Sequence, residues 1–518
     1  MGHWGEGYIT DVQYVDEFNP EQSPRNMALA ATLRGFEPPD LSAEFAYCDL
    51  GCGKGLTSLV LAAANPSAQF HAIDFNPGYI AHAEAKARAA QLRNIAFYER
   101  GIEQLIGPDA PPLPMFDVVA LHGVWSWVSP EVRSAILEFL RRRVKPGGLV
   151  YITYNLMTQW SALLPLQHIL KELTGSIAGS SDVAVAQALA LIERLTASKV
   201  IPPSYLQAVK QLQHGVPDLS AAYLAHEFLP AHWEPTYHSD VARALGSAKL
   251  TFAGSADLLR NLGNIHVSDG QNAALAEIAD PALRETLTDS CAGHWLRFDV
   301  FVRGARRISR ARQDALLGEL KLALVRPAPD FIEIPGPNGR VMRAHPDKYR
   351  RFTTALEKRP HSVTELLALP VPAGHGAVSP AELICVFLGT GLALPYDDAG
   401  EDARAACERL NRVIALDSDS AYVPHATMAV APLQAGLALP ASDFELYLAF
   451  RREARANPSA VASSFAARCR ASGRQPVVDG KLFANEAEAH QALISDFSKK
   501  IDRLGPLWTN LGLIETRV

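Results

Sequence analysis

The residues best suited to chemistry lie close together in the first third of the chain. Asp49-Leu50-Gly51-Cys52-Gly53-Lys54-Gly55 follows a short apolar run and precedes a helix-forming stretch. Glycines in such a turn accept positive φ and let a ligand approach the backbone. The helix that follows presents free N–H groups. Two cofactor classes use this turn. A dinucleotide site asks for Gly-x-Gly-x-x-Gly, which would put glycine at 56; here Leu56 stands there and the third glycine is Gly55. A dinucleotide also brings a pyrophosphate to the helix start. S-adenosylmethionine has no phosphate and carries a cationic amino group, which suits the acid Asp49. Asp74, 19 residues after Gly55, ends the next apolar run, where an acid can accept from both ribose hydroxyls.

A methyl acceptor needs a second set of groups. Leu121-His122-Gly123-Val124-Trp125-Ser126-Trp127 and Tyr154-Asn155 each follow a later apolar run. Methyl transfer is a displacement, so alignment supplies much of the rate. An amine must also lose its proton, and His122 is a candidate base. The faces of Tyr8, Tyr14, Trp125, Trp127 and Tyr154 suit a cationic methylated product. We take His122, Trp125, Tyr154 and Asn155 as the catalytic candidates. Enzymes that methylate base amino groups commonly carry Asn/Asp-Pro-Pro-Tyr/Phe after this strand, and that motif is absent. His226, His232 and His238 stand six and six apart beside Glu227, which fits no metal-ligand spacing. No metal is expected there; these residues are read as joining an insertion to the sheet.

The elements that must position these groups alternate strand and helix. Apolar runs at 45–50, 69–74, 94–99, 116–121 and 149–155 read as strands buried on both faces. Helices are expected over 56–64, 77–92 and 130–144, with Asn76 and Ser129 as caps ahead of prolines. Lys145-Pro146-Gly147-Gly148 reads as a turn. The pattern gives an α/β, doubly wound parallel sheet. Residues 156–235 read as a helical insertion at the carboxyl end of strand five, beside the ligand crevice, with Ala-rich stretches at 181–196 and 203–213. A helix at 238–248, capped by Ser239, leads to strands at 249–256 and 296–305, expected to finish the sheet as an antiparallel pair. We therefore expect one domain over 1–306 and a linker helix over 307–324. A small, winged-helix-like α+β domain over 325–400 would carry a hairpin near Pro335–Gly339 and helices at 361–368 and 379–388. A mainly helical domain follows over 401–518.

Composition sets the outer bounds. The chain has 518 residues, 48% hydrophobic and 20% charged, as soluble globular proteins do. With 49 basic and 55 acidic residues its net charge is -6, which argues against a dedicated nucleic-acid binder. Arg141–Arg143 and Arg303, Arg306, Arg307 and Arg310 are local exceptions. Six cysteines form no metal-type pairs and read as free thiols of a reducing cytoplasm. The start MGHWGEGYITDV lacks a basic region followed by an apolar one, and no run reaches membrane-spanning length.

The Asp-Leu-Gly-x-Gly-x-Gly loop, Asp74, Phe116-Asp117-Val118-Val119 and Lys-Pro-Gly-Gly together resemble a class I S-adenosylmethionine-dependent methyltransferase with a Rossmann-like sheet. The resemblance spans residues 45–155. It implies Gly51, Gly53 and Gly55 on the methionine portion, Asp74 on the ribose, and Gly101 and Ile102 beside the adenine. Tyr14, Asp49, Cys52, Phe75 and His122 complete the expected cofactor set. Where such enzymes usually carry an acid after strand three, this chain has Gly101. A narrower set of segments is GYITDVQYVDEF, LHGVWSWVS, YITYN, YLAHEF…HWEP and FDVFVRG. These resemble methyltransferases with a methyltransferase regulatory domain, among them rickettsial protein-lysine methyltransferases of outer-membrane proteins. Relatives continue strand five with a Pro-Gly-Trp that reads Thr158-Gln159-Trp160 here. The resemblance implies a protein lysine as acceptor. A small-molecule N- or O-methyltransferase whose extra domains form a homodimer, and a non-catalytic cofactor sensor, are the other readings.

Overall fold

Five apolar runs become the parallel core of one sheet. In this computed structural model, residues 5, 7–12, 16–204, 220–263, 265–336, 341–418, 425–453, 456–478, 480–483 and 485–514 are described. Strands β1 (Ala46–Leu50), β2 (Gln69–Asp74), β3 (Ile95–Glu99), β4 (Phe116–Leu121), β5 (Val144–Asn155), β6 (Leu250–Ser255) and β7 (Leu296–Arg303) form it. Their order is β3-β2-β1-β4-β5-β7-β6. Pairing is parallel from β3 to β5, whereas β7 runs antiparallel to both β5 and β6. The expected closing pair is present.

Side chains alternate across this sheet. Tyr47, Val118, Ala120, Tyr151, Val300 and Val302 pack under α1 (Pro24–Leu33) and α2 (Leu56–Ala64). Cys48, Leu50, Val119, Ile152, Tyr154 and Phe301 pack on the other face, under α4 (Pro130–Arg143) and the helix His238–Ser247. In α3 (Pro77–Ala89) the Asn76 cap accepts from Gly78 N at 2.9 Å. Ser129 caps α4 through Val132 N.

Several expectations are corrected. Lys145–Gly148 is part of β5, and a register shift between Phe116 and Val118 of β4 absorbs the extra residues. Lys145 and the backbone N–H of Ala46 both reach Asp117 Oδ2, at 2.7 and 2.8 Å, which ties this bulge to β1. Tyr237, not Ser239, precedes the helix at 238, and it makes no side-chain cap. The linker helix stops at Glu319; Lys321–Leu324 is a strand paired with His361–Ser362 and Ala393–Pro395. Pairing on both sides overrides the helix preference of its Leu and Ala residues.

The hairpin Glu333–Pro335/Val341–Arg343 and the helices Val363–Leu367 and Pro380–Gly389 fall where expected. The hairpin stands apart from the three-stranded sheet. Of the insertion, Leu164–Thr174, Ser181–Ala197 and Ala221–Phe228 are helical; most of 203–213 lies outside the described residues.

The last 118 residues hold an unexpected hairpin, His425–Val430 with Ala435–Pro440, amid the expected helices. Its Ala-rich sequence reads as helix, but long-range packing decides. Gly436 sits so close to α2 that an added Cβ would lie 2.7 Å from Val60. Asn65 Nδ2 donates to Gln434 O at 3.0 Å. All nine residues of α2 are therefore buried, between the sheet and the carboxyl-terminal region. Since α2 starts directly after Gly55, that region braces the helix below the glycine loop.

Among the described residues no helix is long and apolar enough to cross a membrane. The arginine clusters are engaged within the chain: Arg141 and Arg142 hold Glu138, and Arg307 lies 4.1 Å over Phe36.

Candidate active site

The loop after β1 bends three times through glycine. Gly51, Gly53 and Gly55 have φ of 82°, 54° and 78°, a region costly for any residue with a Cβ. Gly51 N and Cys52 N both donate to Ile73 O, at 2.8 and 3.0 Å, which ties the loop to β2. The outer glycines are needed for packing: a Cβ would lie 2.6 Å from Val124 at Gly51 and 2.9 Å from Ala83 at Gly55. At Gly53 it would meet nothing within 4 Å. Open space therefore stands over the central glycine, where a ligand would lie against the backbone.

Asp74 ends β2 beneath that space. Its Oδ2 accepts from Gly53 N and its Oδ1 from Asn76 N, both at 2.9 Å. Burial raises its pKa and these bonds oppose the rise. Arg100 N donates to Asp74 O at 3.0 Å, drawing Gly101 and Ile102 to the same sheet edge. Gly101 N is held by Gln104 Oε1, and Ile102 packs on the core below. Phe75 meets the edge of Tyr8 at 6.1 Å, and Tyr8 lies 5.7 Å from His226 of the insertion. The amino-terminal segment thus bridges the end of β2 and the insertion. Tyr14 lies outside the described residues.

Asp49 sits lower than its sequence position suggests. It is 2% exposed and accepts from Ser58 Oγ at 2.6 Å, in the first turn of α2. Burial pushes its pKa up to about 7, with the nearby Asp74 adding to the rise. Desolvation likewise raises the pKa of the Cys52 thiol.

After β4, His122 Nδ1 lies 2.9 Å from Tyr151 OH, with the rings stacked. Burial depresses its pKa to about 4. The ring is neutral at ordinary pH but a weak base. Trp125 is only 4% exposed, and Arg133 holds it through its carbonyl at 3.0 Å and through its ring face. It supports the loop from within the core. Tyr154 points to the opposite face from Thr153 and Asn155. Its hydroxyl is fully buried, 3.0 Å from His238 Nδ1 and 2.5 Å from Asp299 Oδ2. Asp299 and Arg297 bond at 2.8 Å, and Arg297 also reaches Asp289 and Glu285. The Tyr154 hydroxyl is engaged in this buried ion network.

Asn155 lies where the elements converge. Its backbone N–H donates to Ser126 Oγ at 2.9 Å and its Nδ2 to Glu227 Oε1 at 2.6 Å. Glu227, in the helix Ala221–Phe228, also accepts from Tyr223 OH at 3.2 Å and Trp233 Nε1 at 3.3 Å. Trp127 Nε1 donates to Glu227 O at 3.4 Å. Burial raises the Glu227 pKa to about 7, against the pull of these donors. Sequence reading noted Glu227 only beside histidines and missed this role. His226 bonds Val12 O at 3.0 Å while His238 is in the Tyr154 network, so the histidines serve separate contacts.

Comparison with known proteins matches this layout. Residues 48–150 match the family model "Methyltransferase domain", and 220–303 match "Predicted methyltransferase regulatory domain". The chain is 31% identical over 517 residues to the uncharacterized protein sll1526 of Synechocystis sp., covering 98% of this chain and 99% of that one. It superposes on PKMT2 of Rickettsia typhi, solved in complex with AdoHcy, with a TM-score of 0.68 and 17% identity. That match covers 95% of this chain and 99% of the other, and shows a shared fold.

The chain is a class I methyltransferase with a methyltransferase regulatory domain.

Enzymes of this class depend on S-adenosylmethionine, and that is the cofactor of this methyltransferase. A trans-aconitate 2-methyltransferase of Methylobacterium nodulans is 31% identical over 112 residues, 22% of this chain and 39% of its own length. The regulatory segment of the methyltransferase is part of its catalytic sheet. It supplies Glu227 at one end and β6 and β7 at the other.

Proposed function

We propose that this methyltransferase N-methylates a lysine side chain of a protein. The observation that carries the reading is the buried carboxylate of Glu227, bonded to Asn155 at the exit of β5 and surrounded by Tyr223, Trp233 and Trp127. An amine acceptor arrives as a cation and must lose a proton before it can attack. A carboxylate with a pKa of about 7 can orient the ammonium and take that proton near neutrality. The aromatic faces beside it suit a methylated cation. S-adenosylmethionine supplies the electrophilic methyl group when bound. The carbon–sulfur bond breaks as the carbon–nitrogen bond forms, and S-adenosylhomocysteine leaves.

Cofactor contacts in this proposal follow the geometry. Gly53 receives the methionine portion over its open side, Asp74 accepts from the ribose, and Ile102 flanks the adenine with Phe75 nearby. His122 is a neutral hydrogen-bonding group, and Trp125 and Tyr154 are supports. The resemblance to rickettsial protein-lysine methyltransferases and the PKMT2 fold across most of the chain agree with a protein substrate. Six free cysteines fit a cytoplasmic setting.

A second reading comes from the trans-aconitate relative, which points to a carboxylate acceptor. A buried acid beside the acceptor position opposes an anionic group. Incubation with methyl-labelled cofactor and cell fractions separates the two. Base-stable label on protein supports lysine; base-labile label, or label confined to small molecules, overturns it.

A further inference from the structure

The small α+β unit carries a cluster that methyl transfer does not use. His345, Asp347 and His375 each offer a ligand atom, and the three atoms lie within 4.8 Å of one another. It is the one such group among the described residues. His345 directly precedes the helix Pro346–Lys358, with no side-chain capping bond, and Asp347 is the helix's second residue. His375 lies 28 residues beyond Asp347, in the connection before the helix Pro380–Gly389. The two imidazole rings have centroids 4.5 Å apart.

The connection is fastened to the same helix at both ends. Arg351 donates to Leu369 O at 3.2 Å and to Pro370 O at 2.7 Å. Past His375, Glu382 accepts from Lys348 and Tyr349, both at 2.6 Å. Gly374, with φ of 82°, makes the turn just before His375. Folding alone therefore brings residues distant in sequence to one point. Beside His345 opens a cavity of about 360 Å³ that also has Asp330, Tyr349 and Glu357 in its wall.

We infer that His345, Asp347 and His375 bind a divalent transition metal of the zinc type, with an open coordination position toward this cavity. Two imidazoles and a carboxylate are the donor set that such ions prefer over magnesium or calcium. Three protein ligands leave a position for water or an anionic ligand. Tetrahedral zinc would hold its ligand atoms about 3.3 Å apart, so the side chains must close by up to about 1.5 Å. His345 and Asp347 are exposed and His375 half-buried, which gives them room to do so. The 4.0 Å gap between His345 Nδ1 and Asp347 Oδ2 is too long for a hydrogen bond, so that pair does not account for the convergence.

The test uses the full chain, stripped with a chelator. Zn²⁺ is titrated against a chromophoric competitor, and Co²⁺ binding is followed by visible absorption. One saturable equivalent with tetrahedral cobalt bands is expected. His345→Ala with His375→Ala should weaken zinc binding at least ~100-fold, because one ligand of three remains. Asp347→Asn, nearly isosteric, should weaken it about tenfold and guards against a misfolded double variant. Absence of a saturable equivalent in the unaltered chain, or unchanged affinity in Asp347→Asn and the double variant, overturns the site.

Discussion

Asn155 Nδ2 donates to Glu227 Oε1 at 2.6 Å, joining the exit of β5 to the regulatory segment. Residues 72 apart in sequence thus share one polar centre. Glu227→Gln keeps the shape and removes the carboxylate. We expect kcat to fall on the order of 10²–10⁴-fold, the range for losing a positioned base. Cofactor affinity should stay within a few-fold. A kcat unchanged by this substitution would remove Glu227 from the chemistry.

Activity should rise with pH through about 7 as Glu227 ionises. Glu227→Gln should lose that limb of the profile. Burial pushes His122 down to about 4, so the limb near neutrality is not expected from it. A limb near 7 that survives in Glu227→Gln would point to another group.

Stability should respond to pH in the opposite direction. Asp49 and Glu227 rise from 3.8 and 4.5 to about 7 on folding. The folded chain therefore holds protons that the unfolded chain has released. Their contribution is complete below about 4 and is lost as pH rises through about 7. Urea unfolding midpoints should fall between about pH 5 and about pH 8, less steeply in Glu227→Gln. Asp299 has the reverse sign: held at about 2 by Arg297, its contribution is lost only as pH falls below 3.8 toward about 2.

The glycines separate folding from binding. Gly53→Ala places its Cβ in open space and should cost the fold only ~1–2 kcal/mol for its positive φ. Calorimetry should nevertheless show cofactor affinity reduced at least ~10-fold. Asp74→Ala should weaken binding by ~1.5–3 kcal/mol, the range of a hydrogen bond to a charged group. Unchanged affinity in both variants would disprove the cofactor placement. Gly55→Ala instead meets Ala83 and Phe97 and should lower the melting temperature.

Arg297 is surrounded by Asp299, Asp289 and Glu285. Arg297→Met leaves buried carboxylates without their cation and should cost ~3–5 kcal/mol. A thermal shift near zero would show that the network adds little to stability.

The sheet was legible because each parallel strand is a continuous apolar run and each turn is marked by glycine or a cap. The positive-φ turn through Gly51, Gly53 and Gly55 could be read from local spacing. The pairing of Asn155 with Glu227 could not, because they meet only through the fold. Tyr154 looked available because sequence does not give the strand's facing; the partners that bury it, His238 and Asp299, come from later elements. The hairpin at 425–440 was hidden by alanine, whose helix preference yields to packing against α2. His345, Asp347 and His375 likewise meet only through the fold.

The central claim is methylation of a protein lysine by the site that Asn155 and Glu227 share. Its most direct test is peptide mass spectrometry after the purified enzyme and S-adenosylmethionine act on a bacterial lysate, with Glu227→Gln as control. The account predicts new methyl groups on lysine side chains that are absent with the variant. Methyl groups found only on carboxylates or small molecules, or equally abundant with the variant, would contradict it.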